Sequence, residues 1–156
     1  MLILAHSTVG LFIGTVVPNP VLSFFLAWLS HYVLDFIPHS DTGYFKSAEK
    51  DWLKNKRVVA WVFVDAFLSI ILLYLVIIKT EFTLSLIAGY LGSLGPDILD
   101  NSPFWSRTLH TVPVIQWEHK HIHNHFHNTA KEKKVFIFLA LASYAINIGL
   151  IIYLLK

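Results

Sequence analysis

Residues 58–78 read VVAWVFVDAFLSIILLYLVII, and this stretch decides the fold. It runs 21 residues with a single charge, Asp65. A helix of about 20 apolar residues spans the roughly 30 Å hydrocarbon core of a bilayer. Residues 135–155 make a second run of 21, with no charge at all. Three shorter apolar segments accompany them: 21–37 with His31 and Asp35, 2–17 with His6, and 82–95 with Gly89, Gly92 and Gly95. Short spans are accommodated by local thinning or packing within a bundle, and glycines let one helix approach another closely. The expectation is an all-α polytopic transmembrane bundle of about five spans plus short interfacial helices. Its 156 residues suit a single transmembrane domain covering 1–156.

The composition agrees. Hydrophobic residues make up 55% of the chain and charged residues 14%, against about 25% charge in ordinary soluble domains. A net charge of +2 gives no electrostatic footprint for nucleic acid. With no cysteine there is no disulfide framework, thiolate metal site or cysteine nucleophile. Nine histidines against ten acids is a high count for so apolar a chain.

Pro18-Asn19-Pro20 and Lys79-Thr80-Glu81 read as tight turns. Pro38 and Gly43 end the second helix, and 46–57 forms an amphipathic surface helix. Pro96 ends the fourth helix and opens a polar region, 97–134, whose Trp105 and Trp117 suit the headgroup level. The N-terminus lacks the basic start and small-residue cleavage site of a signal peptide, so it reads as a retained helix. With five spans, ten of the twelve Lys and Arg residues fall on one side, leaving Lys79 and Lys156 on the other. The positive-inside rule then places the N-terminus and both long loops in the cytoplasm.

The ionisable residues inside these segments share one depth. At 1.5 Å per residue, His6, His31 and Asp65 lie roughly 8–10 Å, and Asp35 roughly 3 Å, from the cytoplasmic ends of their helices. Asp97 caps the fourth helix at that level, and His39, Asp41 and the tract 119–127 flank it. Intramembrane ionisable groups are costly and usually face partners, water or a metal. His31 and Asp35 are i and i+4, as are His119 and His123, so each pair shares a helical face. Imidazole and carboxylate are the ligands of zinc and similar divalent ions. The metal candidates are therefore His6, His31, Asp35, His119 and His123. Asp65 and Asp97 are the candidate catalytic carboxylates, and His39 and Asp41 are rim residues for substrate.

Each of these also has a structural reading. His6 can serve helix packing, Asp65 can pair with a histidine as glue, and Asp97 can cap a helix or turn. Asp41 fits an Asx-turn, and Asp100 and Asn101 read as loop polar groups. His121, His125 and His127 read as a solvated tract, and 131–134 as an interfacial anchor.

The blocks Ala5-His6-Ser-Thr-Val-Gly10, Ser30-His31-Tyr-Val-Leu-Asp35-Phe-Ile-Pro38-His39-Ser-Asp41, Gly89-Tyr-Leu-Gly-Ser-Leu-Gly-Pro96-Asp97 and His119-Lys-His-Ile-His123-Asn124 occur in this order. Together they resemble a group of small prokaryotic integral membrane proteins. They are more distantly similar to the YdjM-like membrane-bound metal-dependent hydrolases. The resemblance implies a metal-dependent hydrolase in a prokaryotic cytoplasmic membrane. A divalent ion, zinc first among them, would lower the pKa of a bound water and polarise an ester or phosphoester oxygen. A site at headgroup depth suits an amphiphilic, lipid-linked substrate, with the bilayer itself and a second copy as further partners. A metal or proton transporter and a non-catalytic metal- or pH-sensing membrane protein remain the other readings. Transport needs polar groups through the outer half, where Ser69, Ser85 and Asn147 are the candidates.

Overall fold

The computed structural model describes residues 3–37, 55–102, 104–118, 120–121 and 133–156, and among them every regular element is a helix. The long helices are α1 (Ile3–Val16), α2 (Pro20–Phe36), α3 (Lys56–Thr80), α4 (Leu84–Asn101) and α7 (Lys133–Leu154). Two short helices, α5 (Ser106–Leu109) and α6 (Pro113–Glu118), lie in the polar region between α4 and α7.

Local chemistry sets the starts. Asn19 caps α2, its side chain accepting from the N–H groups of Val21 and Leu22 at 3.0 Å each, with Pro20 in the first turn. Asn55 does the same for α3 through Arg57 and Val58, and the Thr83 hydroxyl accepts from Leu86 at the start of α4. At the other end of α2, Ile37 turns to extended backbone, as the following Pro38 requires.

One sequence expectation fails here. Pro96 does not end the fourth helix; α4 runs through it to Asn101. Proline normally expels the preceding residue from helix by clashing with its Cβ, but that residue is Gly95, which has none. Asp97 and Asp100 are consequently helical residues, not turn or loop residues. Of the expected surface helix 46–57, residues 46–54 lie outside the described residues, and Lys56 and Arg57 form the first turn of α3.

The turn from α3 to α4 carries the one non-glycine residue at positive φ among the described residues. Glu81 takes φ 73° and ψ 157° while its N–H donates to the Ile77 carbonyl at 3.1 Å. That region is nearly reserved for glycine. Glu81→Gly is expected to raise stability by about 1 kcal/mol, read as a higher melting temperature in detergent. A lower one would show that the turn is not strained.

Helix α4 is the centre of the packing, lying against both α1 and α2. Small residues permit this. A Cβ on Gly89 would run into the Gly10 carbonyl, and one on Gly10 would lie 2.5 Å from the Gly89 carbonyl oxygen. The two helices therefore touch backbone to backbone. Leu11, Leu72, Val76, Leu86 and Leu154 fill the core between α1, α3, α4 and α7. Hydroxyls buried in the same half are tied to nearby groups. Ser23 Oγ donates to the Ser85 carbonyl at 2.8 Å, Ser85 Oγ donates to the Pro18 carbonyl at 2.6 Å, and Ser69 and Tyr90 share a 2.9 Å bond.

Among the described residues α3 alone is both long and apolar enough to cross a membrane; α1, α2 and Leu141–Leu154 of α7 are apolar but shorter. Much of the apolar surface of α3 faces outward. Phe63 is 69% exposed and Phe67 63%, with Trp61, Tyr74 and Ile78 similar. A contiguous apolar face of this size marks a membrane or a partner surface.

Candidate metal centre

Helix geometry brings the ionisable groups to one level. His6 lies ten residues before the end of α1 and His31 eleven after the start of α2. At 1.5 Å per residue both stand roughly 15 Å from the Pro18-Asn19-Pro20 turn. The i, i+4 spacing then puts Asp35 on the face of His31.

The contacts converge on Asp35. Its Oδ1 lies 3.2 Å from His6 Nε2 and its Oδ2 lies 3.1 Å from His31 Nε2. The two imidazoles stack, with centroids 4.0 Å apart and planes 19° apart. All three side chains are almost wholly buried. One ligand atom from each lies within 4.8 Å of the others, so His6, His31 and Asp35 could together hold a metal ion.

Hydrogen positions sharpen the chemistry. His31 Nδ1 is 2.8 Å from the Ser93 carbonyl. A carbonyl only accepts, so Nδ1 donates, and in the neutral ring Nε2 carries the lone pair. That lone pair faces a carboxylate oxygen at 3.1 Å, an arrangement that needs a proton or a cation between the two. One added proton suffices: His31 as an imidazolium donates from Nε2 to Asp35 Oδ2, and neutral His6 donates from its own Nε2 to Oδ1. A divalent cation shared by the three groups is the other arrangement they could support. The Ser93 carbonyl is then the outer partner that fixes the His31 tautomer. His6 Nδ1 is buried with no hydrogen-bond partner among the described residues.

Asp97 and Asp65 stand at different edges of this group. Asp97 Oδ1 is 3.8 Å from His31 Nε2, and its side chain is 24% exposed where that of Asp35 is 2%. It is the more exposed of the two carboxylates beside His31. Asp65 points to the first turn of α1, where its Oδ1 accepts the Leu4 N–H at 3.4 Å. The first N–H groups of a helix have no partners within it, and a carboxylate there is doubly favourable. Asp65 therefore holds the end of α1 that carries His6. His39, Asp41, His119 and His123 lie outside the described residues. His121 is exposed, its Nδ1 donating to the Trp117 carbonyl at 3.0 Å and its ring stacked on that indole.

Two residues gain a place that sequence reasoning does not give them. Asp100, buried in the last turn of α4, pairs through Oδ1 with His110 Nε2 at 3.0 Å. The available signal was the i, i+3 spacing of Asp97 and Asp100, legible only once α4 is known to continue past Pro96. No family model matches the chain, and no curated protein or solved structure shows significant similarity to it.

Proposed function

We propose that the chain is a membrane-embedded, metal-dependent hydrolase of a prokaryotic cytoplasmic membrane, acting on a lipid-linked ester or phosphoester. In this reading α1, α2, α3, α4 and α7 are five spans with the N-terminus cytoplasmic. His6, His31 and Asp35 hold a divalent ion, zinc foremost. The observation that carries the reading is the pair of Asp35 oxygens, each facing an imidazole nitrogen at 3.1–3.2 Å. When bound, the ion supplies a water of lowered pKa and polarises the substrate oxygen.

The residues divide the remaining work. Ser93 fixes His31, Asp65 anchors the first turn of α1, and Asp97, at the exposed edge, takes the proton from the attacking water. The outward apolar face of α3 supports a lipid environment. Against transport stand the bonds of its candidates: Ser69 to the Tyr90 hydroxyl, Ser85 to the Pro18 carbonyl and Asn147 to the Ser143 carbonyl.

The test is elemental analysis of tag-free protein in detergent, beside the double variant His31→Ala/Asp35→Ala. Wild type is expected to carry stoichiometric metal and the double variant none. Metal-free wild type after reloading would remove the basis of the proposal. Asp97→Asn is expected to keep the metal while hydrolysis falls roughly 100-fold or more, the usual size of a lost general base. Unchanged turnover in Asp97→Asn would take the base role from Asp97.

A further inference from the structure

Asp100 and His110 have no part in the metal cluster. Asp100 follows Asp97 by three residues on α4, a spacing that sets both carboxylates on one side of the helix. Its side chain is 1% exposed, whereas that of His110 is 29% exposed. The chain between them reverses sharply. Helix α4 gives way to extended backbone at Ser102, and the Trp105 indole N–H donates back to the Ile98 carbonyl at 3.0 Å. Helix α5 then lies against α4, and His110 returns with Nε2 3.0 Å from Asp100 Oδ1.

A carboxylate accepts, so Nε2 of His110 carries a hydrogen in both the neutral and the protonated ring. A closed carboxylate behind a half-open imidazole is the arrangement that orients a proton-transferring histidine. His6 and His31 are unsuited to that task, being fully buried with Nε2 turned to Asp35. Asp97 is the exposed edge of the cluster, and the Asp100–His110 pair begins one helical turn further along α4.

We propose that His110, positioned by Asp100, gives a proton to the leaving oxygen in the hydrolysis assigned above; the inference rests on that reading. The water oxygen bonds to the carbonyl carbon or phosphorus, and its proton passes to the Asp97 carboxylate. The ester bond breaks with its electron pair on the leaving oxygen, which takes the Nδ1 proton of His110. The sum is the addition of one water across one ester bond.

The test uses the full-length protein in detergent with two kinds of probe. Dihexanoylphosphatidylcholine has alkoxide leaving groups, at its acyl esters and at phosphorus alike, that need a proton. p-Nitrophenyl hexanoate and p-nitrophenyl phosphorylcholine release nitrophenolate, which leaves without one. His110→Gln is expected to keep its metal, lose roughly 100-fold on the lipid, and stay within a few-fold of wild type on whichever nitrophenyl ester wild type cleaves. Asp100→Asn should fall in the same pattern by a smaller factor. Equal loss on both probes, or none on either, overturns the role of His110 and leaves the hydrolase reading standing. Metal-loaded wild type that cleaves none of the three overturns the hydrolase reading, and this inference with it. Nitrogen NMR of the imidazoles gives a readout free of substrate. The neutral-ring pattern lost in His110→Gln should be the Nε2–H tautomer, and it should become a mixture in Asp100→Asn. An Nδ1–H tautomer in wild type overturns the proposal outright.

Discussion

Asp35→Asn is expected to abolish the dependence of stability on metal. Wild type should melt at a markedly higher temperature with zinc than with a chelator. A ligand a thousandfold above its Kd stabilises the form that binds it by about 4 kcal/mol. The variant keeps the shape of the side chain but loses its charge and one acceptor oxygen. Both carboxylate oxygens face imidazole nitrogens in the wild type, so neither histidine keeps its partner unaltered. The metal-dependent shift should therefore vanish. The comparison is internal to each protein, so an offset in the metal-free melting temperature does not disturb it. A wild type whose melting temperature ignores both zinc and chelator would show that a shared proton, not a cation, holds the three groups together.

Gly89→Val should be the most damaging substitution away from the site. A Cβ at this position meets the Gly10 carbonyl, which is backbone in a helix and cannot swing aside. Helices α1 and α4 must separate, and overpacking of this kind costs about 3 kcal/mol or more. The consequence reaches the metal centre, because α4 carries both Asp97 and the Ser93 carbonyl that holds His31. Metal affinity should fall although Gly89 touches none of the ligands. Gly149→Ala is the control, since a Cβ there has nothing within 4 Å. It should be neutral or slightly stabilising, as alanine favours helix over glycine by up to about 1 kcal/mol. Equal melting temperatures and metal content for Gly89→Val and wild type would refute the backbone contact between α1 and α4.

These two experiments separate two kinds of information. The long apolar helices were legible in the chain, because apolar runs and the Pro18-Asn19-Pro20 turn act over a few residues. So was the common level of His6, His31, Asp35, Asp65 and Asp97, because the rise of a helix is fixed by its backbone. The angle at which each side chain leaves its helix toward a neighbour was not legible. Packing decides that, through contacts such as Gly89 on Gly10 that join residues far apart in sequence. Asp65 and Asp35 look alike along the chain, yet one turns to the Leu4 N–H and the other to two imidazoles. Asp100 and His110 were hidden for a related reason. Their meeting depends on α4 surviving Pro96 and on Trp105 folding the chain back to Ile98. The sequence by itself determined the long apolar helices and the common level of their polar groups. The tertiary structure decided which of those groups face one another, because rotation about a helix axis is set by the neighbours and not by the helix.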